Sequence, residues 1–190
     1  MNWKHHGRTL LQWGEHALAL LGLGTILWLV CLDVQVMVDS PSMSPTLCGP
    51  DKKTNTPGDI IIAEKLTYRF RSPRRWELVS FYDPESFCMI TKRVVALPGE
   101  TVSVNKFVLS VNGQPMAFPQ SLSFLRYYSY GNLCKGATVH CGSGYYVLGD
   151  YSRDSNDSRF NDPLPAERIK SRPLLRIWPL SRFGFVAAKQ

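Results

Sequence analysis

The chain has 190 residues, 44% hydrophobic and 19% charged. That is enough for one domain with a substantial core and too few for two large ones. Fourteen glycines and thirteen prolines exclude a fibrous or wholly disordered chain, and five cysteines at this length exclude a disulfide mini-protein. Lys and Arg number 22 against 15 Asp and Glu, and the resulting +7 suits an anionic partner such as a phospholipid surface or nucleic acid.

From Ala17 to Leu32 the chain carries no charged residue. Sixteen helical residues span roughly 24 Å, slightly short of a bilayer core of about 30 Å. Leu10, Leu11 and Trp13 extend the run upstream, and Val34, Val36, Met37 and Val38 extend it downstream. Leu32, Asp33 and Val34 are not the small residues of a signal-peptide cleavage site, and Leu29 and Val30 before Cys31 do not fit a lipoprotein site. An uncleaved transmembrane anchor is expected over residues 16–38. Lys4 and Arg8 precede it, whereas only Asp33 and Asp39 follow closely. The positive-inside rule therefore puts residues 1–15 in the cytoplasm and residues 39–190 outside.

The remainder reads as β. Val34–Val38 alternates, and Asp59–Ala63 follows a Pro57-Gly58 turn. Glu77–Tyr82 and Met89–Leu97 are strand-like, the second closed by Pro98-Gly99. Thr101–Val104 and Phe107–Val111 flank Asn105-Lys106, and Asn112-Gly113 is a strong turn signal. Tyr145–Leu148 runs into Gly149-Asp150. Residues 51–57 and 114–136 read as loops or insertions. The expected fold is mainly β: an N-terminal transmembrane helix followed by an antiparallel β-barrel or sandwich.

Chemistry has three candidate locations. Ser40-Pro-Ser-Met-Ser-Pro-Thr-Leu47 lies just beyond the anchor, and its serines need a base to become nucleophiles. Lys92-Arg93 sits inside an apolar strand, where period-2 alternation sends one side chain inward; a lysine so buried loses its charge more easily and can take a proton from a serine hydroxyl. The polar run Gly149–Arg159 is either a solvated loop or a hydrogen-bonding scaffold, with Asp157 able to pair with an arginine such as Arg93. His5, His6 and His16 fall on the inner side or at the membrane, leaving only His140 for a histidine triad, which favours a Ser/Lys pair. Cys134 and Cys141 lack a second pair at zinc spacing, so no metal site is expected.

At these residues the sequence resembles the type I signal peptidases, membrane-anchored Ser/Lys endopeptidases. Ser42-Met-Ser-Pro-Thr-Leu47 resembles the nucleophile box, and Gly58–Phe70 the strand after it. Arg75–Phe81, the lysine box Lys92–Glu100, Val111-Asn-Gly113, Gly149–Arg159 and Arg176–Gly184 follow in the family's order. The resemblance implies Ser42 as nucleophile and Lys92 as general base. It makes the Ser40 hydroxyl and the Ser42 N–H the oxyanion hole and has Ser155 orient the lysine. It pairs Asp157 with Arg93, with Arg159 beside them. It further implies preprotein signal peptides as substrates, bound as extended strands and cut after small residues at −1 and −3. No cofactor is implied, and the site lies on the outer face of a cell inner membrane. A thylakoid or mitochondrial inner membrane also fits, and the Trp-Pro-Leu tail favours the bacterial or plastid type.

The chain departs from the family at several positions. Asp39 stands where proline is common, and Pro41 separates the two serines. Trp76-Glu77 replaces Gly-Asp, Tyr151-Ser152 replaces Asn-Arg, and Phe160-Asn-Asp-Pro163 follows Arg159 without a glycine. A peptidase dedicated to one secretion or conjugation system, or an inactive homologue acting as a binding subunit, remain the alternatives. Cys134 and Cys141 bracket a short loop that an oxidising compartment would allow to close as a disulfide. Arg69, Arg71, Arg74 and Arg75, and Arg168, Lys170, Arg172 and Arg176, form two basic clusters. Anionic lipid headgroups are their natural partner, and nucleic acid is on the wrong side of the membrane.

Overall fold

The computed structural model describes residues 3–36, 40–51, 53–84 and 86–186, with residues 3–12, 14 and 36 described by backbone alone. Helix α1 spans Trp3–Cys31. Every side chain from Glu15 to Val30 is exposed, with leucines and isoleucine on all sides of the helix. Among the described residues, no helix is long and apolar enough to cross a membrane.

The helix ends at Cys31, not at 38. Leu32–Val36 instead form strand β1, which pairs with β2, Ile60–Glu64, in register Leu32↔Glu64 to Val36↔Ile60. Within β1 Val34 is exposed and Gln35 buried, as alternation on a strand requires. Residues 37–39, which include Asp39 and the expected end of the anchor, lie outside the described residues.

Short helix α2 covers Thr67–Phe70. The later strands are β3 Leu78–Asp83, β4 Cys88–Ala96, β5 Thr101–Asn105, β6 Val108–Val111 and β7 Gln114–Pro115. They are followed by β8 Thr138–His140, β9 Tyr146–Leu148, β10 Ile169–Trp178 and β11 Gly184–Phe185. Among the described residues they make two antiparallel sheets. One runs β1-β2-β10-β3-β4-β9 with β11 on β10, and the other runs β7-β6-β5-β8.

The larger sheet curls on itself. Ser80 of β3 donates to Gln35 Oε1 of β1 at 2.9 Å, although β2 and β10 lie between their strands. Three strand spacings on a flat sheet amount to about 14 Å, beyond the reach of a glutamine and a serine. The curl leaves two open edges among the described residues. β1 pairs only with β2, and β4 pairs with β9 only from Arg93 to Ala96, so Cys88–Lys92 keeps an unpaired edge.

Turn chemistry closes the smaller sheet. Asn112 and Gly113 both take positive φ, 51° and 75°, as a two-residue hairpin requires. The β5–β6 turn centres on Lys106 and Phe107, also at positive φ, so the strand begins at Val108 and not at Phe107. The segment 114–136 is more than a surface insertion. Its Leu122, Leu125, Tyr127 and Leu133 join Val102, Val104, Leu109 and Val111 in the main apolar cluster.

Strand β10 was not expected from the sequence. Its Lys170, Arg172 and Arg176 read as a basic cluster, and Pro173 argues against an inner strand. It nevertheless lies between β2 and β3, and its register breaks at Pro173/Leu175, where the missing N–H is absorbed. Several members of the basic clusters are paired within the protein: Arg71 with Glu77, Arg75 with Glu100, Arg172 with Glu64 and Arg176 with Asp59.

Cys134 and Cys141 are not bonded to each other in this structure. Both thiols are free; Cys134 is exposed while Cys141 is buried in the apolar cluster, so the two sulfurs face different environments.

Candidate active site

Ser42 sits in a tight turn beyond β1, in which Ser44 N–H bonds to the Pro41 carbonyl and Leu47 N–H to the Met43 carbonyl. Met43 and Leu47 are buried against Ile61 and Leu78, which seats the turn on the curled sheet. Ser42 itself is 9% exposed.

Lys92 comes from the middle of β4 and is 3% exposed. Its Nζ lies 2.8 Å from Ser42 Oγ and 3.1 Å from Ser155 Oγ. Burial, above all, pushes the lysine down to about 8 from its ordinary 10.5, with the Asp157 carboxylate pulling the other way.

The hydrogen bonds around Lys92 have a direction. Ser155 Oγ donates to Asp157 Oδ2 at 2.7 Å, so its remaining capacity is as an acceptor. A neutral Lys92 therefore donates to Ser155 and turns its lone pair to Ser42 Oγ–H. Asp157 is fixed in turn by the Gly149 N–H at 3.0 Å and by Arg159, whose Nε and Nη2 each donate to it at 2.8 Å. Arg159 Nη1 also donates to Ser152 Oγ at 2.7 Å, so Ser152, one of the departures from the family pattern, joins the scaffold.

The expected Asp157–Arg93 pair is not formed. Arg93 pairs with Asp150, Nε to Oδ1 at 2.7 Å and Nη2 to Oδ2 at 2.6 Å, and both side chains are fully buried. Adjacent residues on a strand face opposite sides, so Arg93 cannot follow Lys92 to the Ser155–Asp157 side. Asp150 and Thr46 were missed as site residues. Asp150 also binds Thr46 Oγ1, and Arg93 Nη2 donates to the same oxygen at 3.3 Å, tying the serine turn to β4 and to the polar loop. The signal for Asp150 was its place after Gly149 in the polar run, opposite the only arginine of β4.

Gly149 is required for a spatial reason. A Cβ there would collide with Ser155 Oγ and the Ser42 carbonyl oxygen. That carbonyl also accepts the Tyr151 N–H at 2.9 Å, so the polar loop grips the serine turn by its backbone.

Ser40 Oγ accepts the Ser42 N–H at 3.3 Å. The bond is long, and it marks a spot where the Ser42 N–H and the Ser40 hydroxyl converge. The remaining histidine candidate, His140, belongs to the smaller sheet and accepts the Gly142 N–H at 3.0 Å. Among the described residues no group of three His, Cys, Asp or Glu side chains is placed to hold a metal ion.

The arrangement is a buried serine hydroxyl facing an amine of lowered pKa, with a carboxylate-anchored hydroxyl fixing the amine. The family description "Signal peptidase, peptidase S26" matches residues 10–178. A signal peptidase I from Leptolyngbya laminosa is 32% identical over 157 residues, 77% of this chain and 70% of its own length. A probable signal peptidase I-1 from Synechocystis is 33% identical over 156 residues, covering 77% and 72%. The human mitochondrial inner membrane protease subunit 1 is 32% identical over 156 residues, covering 80% and 74%. The chain belongs to the signal peptidase family, peptidase S26.

Proposed function

We propose that this protein is a membrane-bound serine endopeptidase that removes signal peptides from preproteins, with Ser42 as nucleophile and Lys92 as general base. The observation that carries the reading is the directional chain Asp157–Ser155–Lys92–Ser42. Neutral Lys92 takes the Ser42 proton as Oγ attacks the scissile carbonyl. The Ser42 N–H, released from Ser40 Oγ, and the rotated Ser40 hydroxyl receive the developing oxyanion. Protonated Lys92 then returns its proton to the leaving amine, and water releases the acyl-enzyme by the same route. Asp157, held by Arg159, positions Ser155; the Arg93–Asp150 pair positions the serine turn.

The substrate lies extended along the open edge of Cys88–Lys92, where backbone hydrogen bonds add a strand to the sheet. Helix α1 anchors the domain: its exposed, all-round apolar surface from Ala17 to Val30 suits lipid. Its N-terminus is then cytoplasmic and the catalytic domain lies on the outer face, against anionic headgroups and away from nucleic acid. The residues described supply the whole mechanism, so no cofactor is invoked.

The test is cleavage of a preprotein with an Ala-x-Ala site in detergent micelles. The wild type should cleave, and Ser42→Ala and Lys92→Ala should each lose at least about a thousandfold in kcat/KM. No cleavage by the wild type of any preprotein would favour the inactive-homologue alternative, and residual activity in Ser42→Ala would assign the nucleophile elsewhere.

A further inference from the structure

Strand β1 stands between the helix and the serine turn, and its ladder holds it along one edge only. Helix α1 ends at Cys31 and β1 begins at Leu32, with no loop between them. Among the described residues β1 pairs with β2 alone. Its angle on the sheet therefore depends on whatever holds it from the inner face.

Gln35 is that second attachment. Its amide crosses the curl and lands on a row of three hydroxyls. Ser171 of β10 is the register partner of Ser80 of β3, which is in turn the partner of Thr91 of β4. Gln35, Ser171, Ser80 and Thr91 are buried, at 4%, 0%, 0% and 5% exposure. An apolar set would fill this space without any need for partners, so four polar groups here call for a reason.

Chemistry assigns the direction of each bond. Gln35 Nε2 lies 3.1 Å from Asp33 Oδ2 and 3.0 Å from Ser171 Oγ. A carboxylate accepts only, so the amide nitrogen faces Asp33 and Oε1 faces Ser80. Oε1 cannot donate, so Ser80 gives it its single hydrogen at 2.9 Å. The 2.8 Å bond between Ser80 and Thr91 is then donated by Thr91. One amide thus ties β1 to β10 and β3 directly and to β4 through Ser80. Thr91 and Lys92 alternate along β4, so the row lies on the face opposite the Lys92 amine. It acts on the dyad through the strands and touches neither member.

The serine turn shows where that support matters. Downstream of the nucleophile it is anchored many times. The Tyr151 N–H holds the Ser42 carbonyl at 2.9 Å, Arg182 holds the Pro45 carbonyl at 2.8 Å, and Arg176 holds the Thr46 carbonyl at 2.9 Å. The Cys48 N–H is fixed on Asp59 at 2.8 Å. Upstream, Ser40 and Pro41 are exposed, and their hydrogen bonds run to Ser42 and Ser44 of the same turn. Among the described residues, the support on that side is β1.

We infer that Gln35 is a positioning residue: it latches β1 across the curl and thereby sets the place of the Ser40 hydroxyl beside the Ser42–Lys92 dyad. The inference rests on the peptidase reading and goes beyond it by naming what holds the oxyanion donor. That donor meets its charge only after Ser42 has attacked, so a misplaced Ser40 costs the transition state and leaves substrate binding intact.

The experiment uses the full-length chain in detergent micelles with one Ala-x-Ala preprotein, kcat and KM being measured separately and folding checked by thermal unfolding. Ser40→Ala alone should lower kcat by about a hundredfold. Gln35→Leu should lower kcat by about tenfold with KM within about twofold of wild type. In a Ser40→Ala background the same substitution should cost less than about twofold, because the donor it positions is gone. Ser80→Ala breaks the latch from the other side with a smaller loss of contacts; it should lower kcat by about threefold and show the same dependence on Ser40. It decides the matter if Gln35→Leu does not fold. Unchanged kcat per folded molecule in the latch variants overturns the inference, as does an equal loss with and without Ser40 or a loss expressed chiefly in KM. Failure of the wild type to cut overturns the peptidase reading itself and this inference with it.

Discussion

The two sheets bury different things. In the smaller sheet the inward residues Val102, Val104, Leu109 and Val111 are uniformly apolar and pack on Leu122, Leu125 and Leu133. The larger sheet buries Lys92, Arg93, Ser80, Thr91, Gln35 and Ser171 among its apolar residues, with Asp150, Ser155 and Asp157 packed on it from the polar loop. The difference teaches that stability and chemistry are distributed unequally. The first sheet gains from every side chain it removes from water. The second carries buried charge and polar groups whose desolvation is offset only by partners in good geometry.

Breaking one partnership in each sheet should expose that difference most sharply. Asp150→Ala leaves Arg93 buried without its carboxylate, and should cost about 3–5 kcal/mol in denaturant unfolding. It should also lower kcat/KM per folded molecule, because Thr46 and the serine turn lose their tie. Leu109→Ala in the smaller sheet should cost a similar 2–5 kcal/mol and leave kcat/KM per folded molecule unchanged. Equal effects of the two substitutions on kcat/KM would contradict the division between the sheets.

Lys92→Met sharpens the comparison in the opposite direction, with a smaller effect. Lys92 titrates near 8 in the fold and near 10.5 when unfolded. Below pH 8 both states carry the proton, and the fold bears the full cost of burying the ammonium. Between pH 8 and 10.5 only the unfolded chain keeps the proton, so stability of the wild type rises with pH. The substitution should therefore stabilise the protein at pH 7 by about 1–3 kcal/mol while abolishing activity, and the gain should shrink from pH 8 to pH 10.5. Thermal unfolding at pH 6, 8 and 10 reads the trend; a gain that grows with pH contradicts a lysine held near neutrality.

Much of this arrangement was readable in the sequence because it is local. Asn112-Gly113 and Pro98-Gly99 mark turns by backbone preference, and the alternation in Met89–Leu97 places Lys92 and Arg93 on opposite faces. Ser40, Ser42, Lys92 and Ser155 could be singled out by the family resemblance, and they lie within hydrogen-bond reach of one another in turn. What escaped was long-range. Choosing between Asp150 and Asp157 for Arg93 needs the fold of the polar loop, since both are acidic residues within the same eleven-residue run. The polar chain Gln35–Ser80–Thr91 joins single residues of separate strands, each unremarkable in its own segment. Strand β10 was hidden by its arginines, whose carboxylate partners Glu64 and Asp59 lie more than a hundred residues upstream. The bounds of α1 were not legible: an anchor over 16–38 was expected and the helix runs Trp3–Cys31, although the alternation from Val34 already pointed to the strand that Leu32–Val36 forms on β2.

The central claim is that a buried, neutral Lys92 deprotonates Ser42, and the pH dependence of kcat/KM for the wild type tests it most directly. Cleavage of one peptide from pH 6 to pH 10 should rise with a midpoint near 8, following the unprotonated fraction of Lys92. A profile that is flat over that range, or that rises only near 10.5, would contradict the account.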